Sequence, residues 1–244
     1  MRHKRQGWSA ERTTGRGPSF MGNNMAIHTK IVALLTTLML FPLALDKAQA
    51  DRAGDFDYYL LALSWSPSYC ADDGRQGRDK LQCFSGRPYG FVIHGLWPQH
   101  ESGYPEFCRS SHRKPSDKLV DQMLKYSPSR GLIHHEWKKH GSCTGLSPLD
   151  YFRKAVKSYK SLKRPSQLVG LERPLLMTVK QIRDAFLNAN PDLPRDSVLV
   201  TCKRNKLREV RICFDKLGSP RACSPSAFKG ACRDRGKLRI LAVR

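Results

Sequence analysis

The sequence predicts an α+β fold, with a mainly antiparallel sheet, several helices and a brace of disulfides. Three observations predict it. Apolar strand-like runs stand toward both ends of the chain, and helical spacings fill its middle. Eight cysteines all follow an apolar leader-like run. The 194 residues from Asp51 onward are enough for one domain with its own core.

Taken in order, residues 31–45 read "IVALLTTLMLFPLAL" after Lys30 and before "DKAQA", the pattern of a signal peptide with cleavage near Ala50. Fifteen such residues with a proline fall short of the roughly 20 needed to span a bilayer. No stable membrane anchor is therefore expected after cleavage. The first 24 residues are polar and arginine-rich, and Met25 opens a signal peptide of ordinary length. Residues 1–50 are accordingly read as an N-terminal extension and signal peptide, and 51–244 as the domain, placed in the periplasm or secreted.

Phe56 to Trp65, "FDYYLLALSW", reads as a strand buried on both faces, with a proline two residues on. Tyr89 to Pro98, "YGFVIHGLWP", reads as a second strand running into a turn. Helical spacing follows over Pro115 to Lys125 and Gly131 to His140, where Gly141 is placed to end the helix. Ser147 to Leu162 has a serine cap, an early proline and an apolar stripe of Leu149, Phe152, Val156 and Tyr159. Thr178 to Asn190 repeats the pattern with a threonine cap. Strands are then expected at Val198 to Lys203 and Leu207 to Phe214, with "KLRILAV" a candidate for the last.

Charge narrows the function. Of 43 basic and 21 acidic residues, 36 and 19 lie from residue 51 on, a net charge of +17. A polyanionic partner suits that balance, nucleic acid before anionic lipid, although excess lysine can also serve solubility alone. No basic block stands apart as a tail, so the charge belongs to folded sequence.

Within "GLIHHEWKKHGSCTG" three histidines and a glutamate fall close together. At about 100° per residue, His135, Lys139, Glu136 and His140 lie at roughly 0°, 40°, 100° and 140° and share one helix face. His134 falls at roughly 260°, away from that arc. A zinc-protease helix needs H-E-x-x-H, with histidines at i and i+4. Here the second histidine comes one residue late, and the cationic Lys139 stands where a ligand should. No metal site is expected. The arc suits an anion such as phosphate beside a titratable nitrogen, and is equally compatible with a solvated charged face. In "FVIHGLWPQH", His94 ends a buried strand where the backbone turns outward, a rigid place for catalysis. Alone, that motif also fits a core histidine bonded to a backbone carbonyl.

Together, "FVIHGLWP" and "HEWKKHGSC" closely resemble the two active-site segments of the ribonuclease T2 family. "LALSWSPSYC" is similar to that family's first strand and following cysteine. The resemblance runs from about Phe56 to the C-terminus. It implies a secreted, monomeric endoribonuclease that needs no metal or cofactor and cleaves single-stranded RNA by transfer to the 2′-hydroxyl, through 2′,3′-cyclic phosphates. It further implies His140 as base, His94 as acid, Glu136 and Lys139 as the pair that steadies the transition state, and His135 as a phosphate contact. Trp97 matches an aromatic at the site, and Tyr104 is a further stacking candidate; both are also compatible with packing. Where some members carry an acidic residue for reading a base, this chain has Gln99, which puts a strong base preference in doubt. The alternative is a non-catalytic basic RNA-binding protein keeping the same fold, which would be expected to have lost one histidine.

The eight cysteines, with no C-x-x-C among them, form an even set for a disulfide framework, and spacing alone allows 105 pairings. A Cys108–Cys143 bridge would tie the two catalytic segments together, contributing roughly 3 to 4.5 kcal/mol on chain-entropy grounds. The family pattern suggests Cys202–Cys232 and Cys213–Cys223, leaving Cys70–Cys83.

Overall fold

The computed structural model describes residues 51–74 and 79–243. The expected extension, signal peptide and cleavage site lie outside them. At the centre is β1 (Tyr58–Trp65), paired antiparallel with β2 (Phe91–Gln99) on one edge and β5 (Lys206–Phe214) on the other. The order is β2-β1-β5-β6-β3, where β3 is Leu175–Thr178 and β6 is Lys237–Ile240, and β4 (Val198–Lys203) also pairs with β5. Every pairing is antiparallel except a short parallel contact of β5 with β6 at Lys206 and Arg239.

The near-continuous apolar run of β1 is explained by cover on both faces. Tyr59, Leu61, Leu63 and Trp65 join the main core with Ile133, Trp137, Phe152, Ile182 and Phe186 from the helices. Tyr58, Leu60 and Ala62 point the other way, into a small cluster with Leu199, Cys213 and Cys223. This second face carries the site.

The principal helices begin where a hydroxyl can accept an orphan N–H. Ser116 caps α3 (Asp117–Met123), Ser129 caps α4 (Arg130–Lys139) and Ser147 caps α5 (Pro148–Ser161). Thr178 and Gln181 close a capping box on α6 (Val179–Ala189). Two short helices, α1 (Ser66–Asp72) and α2 (Lys80–Cys83), and strand β3 escaped the sequence reading. Pro67 opens α1 at its first turn instead of ending structure there, and β3 is too exposed to alternate.

Two expectations need correction. Gly141 does not end α4 by a left-handed turn, since the chain continues into a 3₁₀ turn, Gly141–Thr144, that stops at Gly145 (φ 73°). Gly141 is instead a packing residue, because a Cβ there would stand 2.5 Å from the Trp137 ring and 3.0 Å from Tyr151. On α5 the buried face is Tyr151, Phe152, Ala155 and Ser158, while Leu149 is 40% exposed. The inward arc is rotated toward Tyr151, whose ring meets Trp137 and Phe152 edge-on. The disulfides are Cys70–Cys83, Cys108–Cys143, Cys202–Cys232 and Cys213–Cys223.

Candidate active site

His94 occupies an irregularity in β2. Ala62 of β1 faces Gly95 and Leu63 faces Ile93, so His94 is the extra residue of a bulge. Bulges re-aim side chains, and this one turns the imidazole toward two carboxylates. Nδ1 lies 2.5 Å from Glu209 Oε1, and Nε2 lies 3.6 Å from Glu136 Oε1. Glu136 comes from the buried side of α4, where it is 3% exposed. Its other oxygen accepts the Trp97 indole N–H at 2.7 Å. That approach dictates Gly95, since a Cβ there would fall 1.9 Å from Glu136 Oε2 and 2.4 Å from Trp97 Nε1.

Trp97 joins the two histidines. Its ring meets His94 edge-on at 5.2 Å and stacks on His140 at 5.2 Å and 30°. His140, the C-terminal cap of α4, is buried, and its Nδ1 has no hydrogen-bond partner among the described residues. Lys139 pairs with Glu106 at 3.1 Å. Tyr104, 51% exposed, stands 6.3 Å from the His140 ring and 5.9 Å from Lys139 Nζ, between centroids or to centroid. The Cys108–Cys143 bridge and the Phe107 N–H donated to Lys139 O hold this loop against the end of α4. A groove of about 850 Å³ leads away past His94, His135, Ser64, Gln82 and Ser129 to Lys203 and Lys206. His134 does not line it.

Of the seven residues picked from sequence for catalysis or RNA binding, His94 and His135 line this groove, Glu136 and Trp97 contact His94, His140 stacks on Trp97, and Tyr104 lies beside the His140 ring and Lys139. Trp97 is neither wholly core nor free, being half-buried with its N–H committed to Glu136. Gln99 is turned inward, 6% exposed, and its amide bonds the Pro98 carbonyl. Among the described residues no three His, Cys, Asp or Glu side chains are grouped to hold a metal ion.

Electrostatics divides the two histidines. Burial disfavours a charged His94, but the Glu209 hydrogen bond and the Glu209 and Glu136 charges outweigh it and raise its pKa above 6.5. Burial lowers His140 to about 3, reinforced by Lys139, His94 and His135. Burial, then Lys139, His94 and Lys138, lower His135 as well. Glu136 is pushed up to about 7 by burial, against the pull of His94 and Trp97. For Glu209 burial works upward, yet His94 and Arg211 hold it at about 2.

Sequence reading missed Glu209 and Arg211. Both lie on β5, where "KLREVRICF" registered only as a strand. Both alternate with Val210, Ile212 and Phe214 of the main core and so share the opposite face with Cys213, where strand alternation admits polar residues and marks neither of them out.

Comparison with known proteins places these observations in a family. The model of the ribonuclease T2 family matches residues 56–223. A ribonuclease of Aeromonas hydrophila is 42% identical over 140 residues, 57% of this chain and 61% of that protein. A relative from Haemophilus influenzae is 36% identical over 175 residues, 66% of this chain and 58% of its own length. The chain therefore spans about three fifths of these two proteins. A solved structure of RNase NT in complex with 5′-AMP shares the fold, with a TM-score of 0.60 and 24% identity, over 77% of this chain and 99% of that one.

Proposed function

The chain belongs to the ribonuclease T2 family, and on that premise we propose that it is an endoribonuclease cutting single-stranded RNA by 2′-hydroxyl transesterification. The observation that carries this reading is that His94 and His140 both meet the Trp97 ring, whose N–H is bonded to Glu136, with surroundings that shift the two imidazoles in opposite directions. Two titratable groups pushed apart by their surroundings are the arrangement that acid–base chemistry requires. Neutral His140 takes the proton of the 2′-hydroxyl as its oxygen attacks phosphorus. His94 gives its Nε2 proton to the departing 5′-oxygen as the P–O5′ bond breaks. The products are a 2′,3′-cyclic phosphate and a 5′-hydroxyl. Lys139 offers positive charge to the phosphorane, and Glu136, whose pKa burial pushes up to about 7, can donate to a phosphoryl oxygen in its protonated form. His135 contacts phosphate, while Trp97 and Tyr104 offer surfaces to a base or ribose. The charge of +17 suits a polyanionic strand.

Residues 51–244 are read as the catalytic domain, monomeric, metal-independent and free of a membrane anchor, exported by a signal peptide within residues 1–50. Four disulfides favour an oxidising compartment, secreted or periplasmic. Among the described residues no helix is long and apolar enough to cross a membrane. Incubating the purified protein with single-stranded RNA in excess chelator, then analysing product ends, tests the proposal. Cyclic phosphate and 5′-hydroxyl ends are expected. Tight RNA binding without cleavage would replace it by the RNA-binding alternative.

A further inference from the structure

Glu209 and His94 lie on strands that do not touch, because β1 stands between β5 and β2. At about 4.8 Å per strand spacing, their backbones are roughly 10 Å apart. Side chains can bridge that gap only over small residues, and β1 provides them. Ser64 faces Glu209, while Ala62 faces Arg211 on one side and Gly95 on the other. Across this low ground Glu209 Oε1 reaches His94 Nδ1 and also receives the Ser64 hydroxyl at 3.4 Å. Its Oε2 receives both Nε and Nη2 of Arg211, at 2.8 and 2.7 Å, and the same guanidinium lies 4.8 Å from the Trp97 ring. Glu209 is 1% exposed. A buried carboxylate is tolerated when its charge is paired, and Arg211 alone would pair it. Aiming the remaining oxygen at one nitrogen of one imidazole does something more.

We propose that Glu209, held by Arg211 and reaching across Ala62 and Ser64, is a positioning residue that fixes His94 with Nδ1–H inward and Nε2–H toward the cleft as the acid. The inference rests on the ribonuclease reading above. A carboxylate on one ring nitrogen sets which nitrogen carries the exchangeable proton. When His94 releases its Nε2 proton to the leaving oxygen, Nδ1–H stays hydrogen-bonded to Glu209, which remains anionic, held at about 2. The groups facing His94 are Glu209 and Arg211 from β5, Glu136 and His135 from α4, and His140 at its end. Burial and Arg211 oppose the imidazolium while Glu209 and Glu136 favour it, so Glu209 tips the balance toward a pKa raised above 6.5.

The test uses Glu209→Gln, which keeps the shape and the acceptor but removes the charge, with two substrates. One is a dinucleoside monophosphate, whose 5′-alkoxide must be protonated as it leaves. The other is a nucleoside 3′-(p-nitrophenyl phosphate), whose leaving group needs no acid. On the dinucleotide, kcat should fall about 10²-fold, within the usual range for an acid–base contribution, with KM little changed. The loss on the ester should be at least about tenfold smaller. The alkaline limb of the dinucleotide profile should also move to lower pH. Equal losses on both substrates, or an unmoved limb, with wild-type protein active on both, would overturn the role of Glu209 and leave the ribonuclease reading standing. Wild-type protein inactive on both would overturn the reading and the inference with it. Should the variant not fold, ¹⁵N shifts of the wild-type His94 ring above its titration decide the matter. The Nδ1–H tautomer supports the proposal, and the Nε2–H tautomer defeats it.

Discussion

The two walls of the proposed active site carry one histidine each and surround it with opposite charge. On the sheet wall, His94 sits between the carboxylates of Glu209 and Glu136. On the helix wall, His140 is buried at the end of α4, beside Lys139 and against Trp97. The same side chain thereby has its pKa raised in one place and lowered in the other, which suits the acid and base roles proposed for them. Role is decided by neighbours and burial, not by residue type. The walls are also built differently: a bulge aims His94, whereas a helix terminus and a disulfide aim His140.

The strongest way to break this comparison is to remove either histidine. His94→Ala and His140→Ala should each lower kcat by about 10² to 10⁴, with RNA binding retained. A folded variant of either with near wild-type turnover would end the division of labour. A smaller effect separates the bridges. Replacing Cys108 and Cys143 together should reduce activity more than replacing Cys213 and Cys223, because only the first pair fastens the Tyr104 loop to the end of α4. Equal losses in folded proteins would show that the helix wall needs no such clamp.

The pH profile of kcat/KM sharpens the contrast further. A base is competent above its own pKa and an acid below its own. His140 at about 3 puts the rising limb well below 6.5, and the raised His94 puts the falling limb above it, giving a broad plateau. Lys139→Met removes a cation that opposes protonation of His140, so the rising limb should move to higher pH. An unmoved limb would mean that burial alone sets the helix wall. The smallest effect is expected at His134, which lies on the helix face away from Glu136 and His140. His134→Ala should leave both constants nearly unchanged, whereas His135→Ala should act mainly on KM.

Much of this was legible in sequence, for reasons that differ by element. The continuous run of β1, the alternation in β5 and the hydroxyl-capped helices are local patterns, and the fold followed from them. Helix geometry places Glu136 and His140 near each other, but only the resemblance of the two histidine segments to the ribonuclease T2 family suggested a role for them. The bulge at His94 was not legible, since register depends on a partner strand far along the chain. Glu209 stayed hidden for the same reason. Its partner is 115 residues away, and small residues on a third strand make the contact possible. The misjudged face of α5 shows the complementary limit: hydrophobicity favoured Leu149, but the space beside Trp137 selects Tyr151.

The central claim is that the two histidines differ in protonation before any substrate arrives. Titrating the imidazole resonances of His94 and His140 by NMR in the free protein tests it without reference to activity. His94 should titrate above 6.5 and His140 far below it, with Lys139→Met shifting His140 upward. Two histidines titrating together near 6.5, or in the reverse order, would contradict the account.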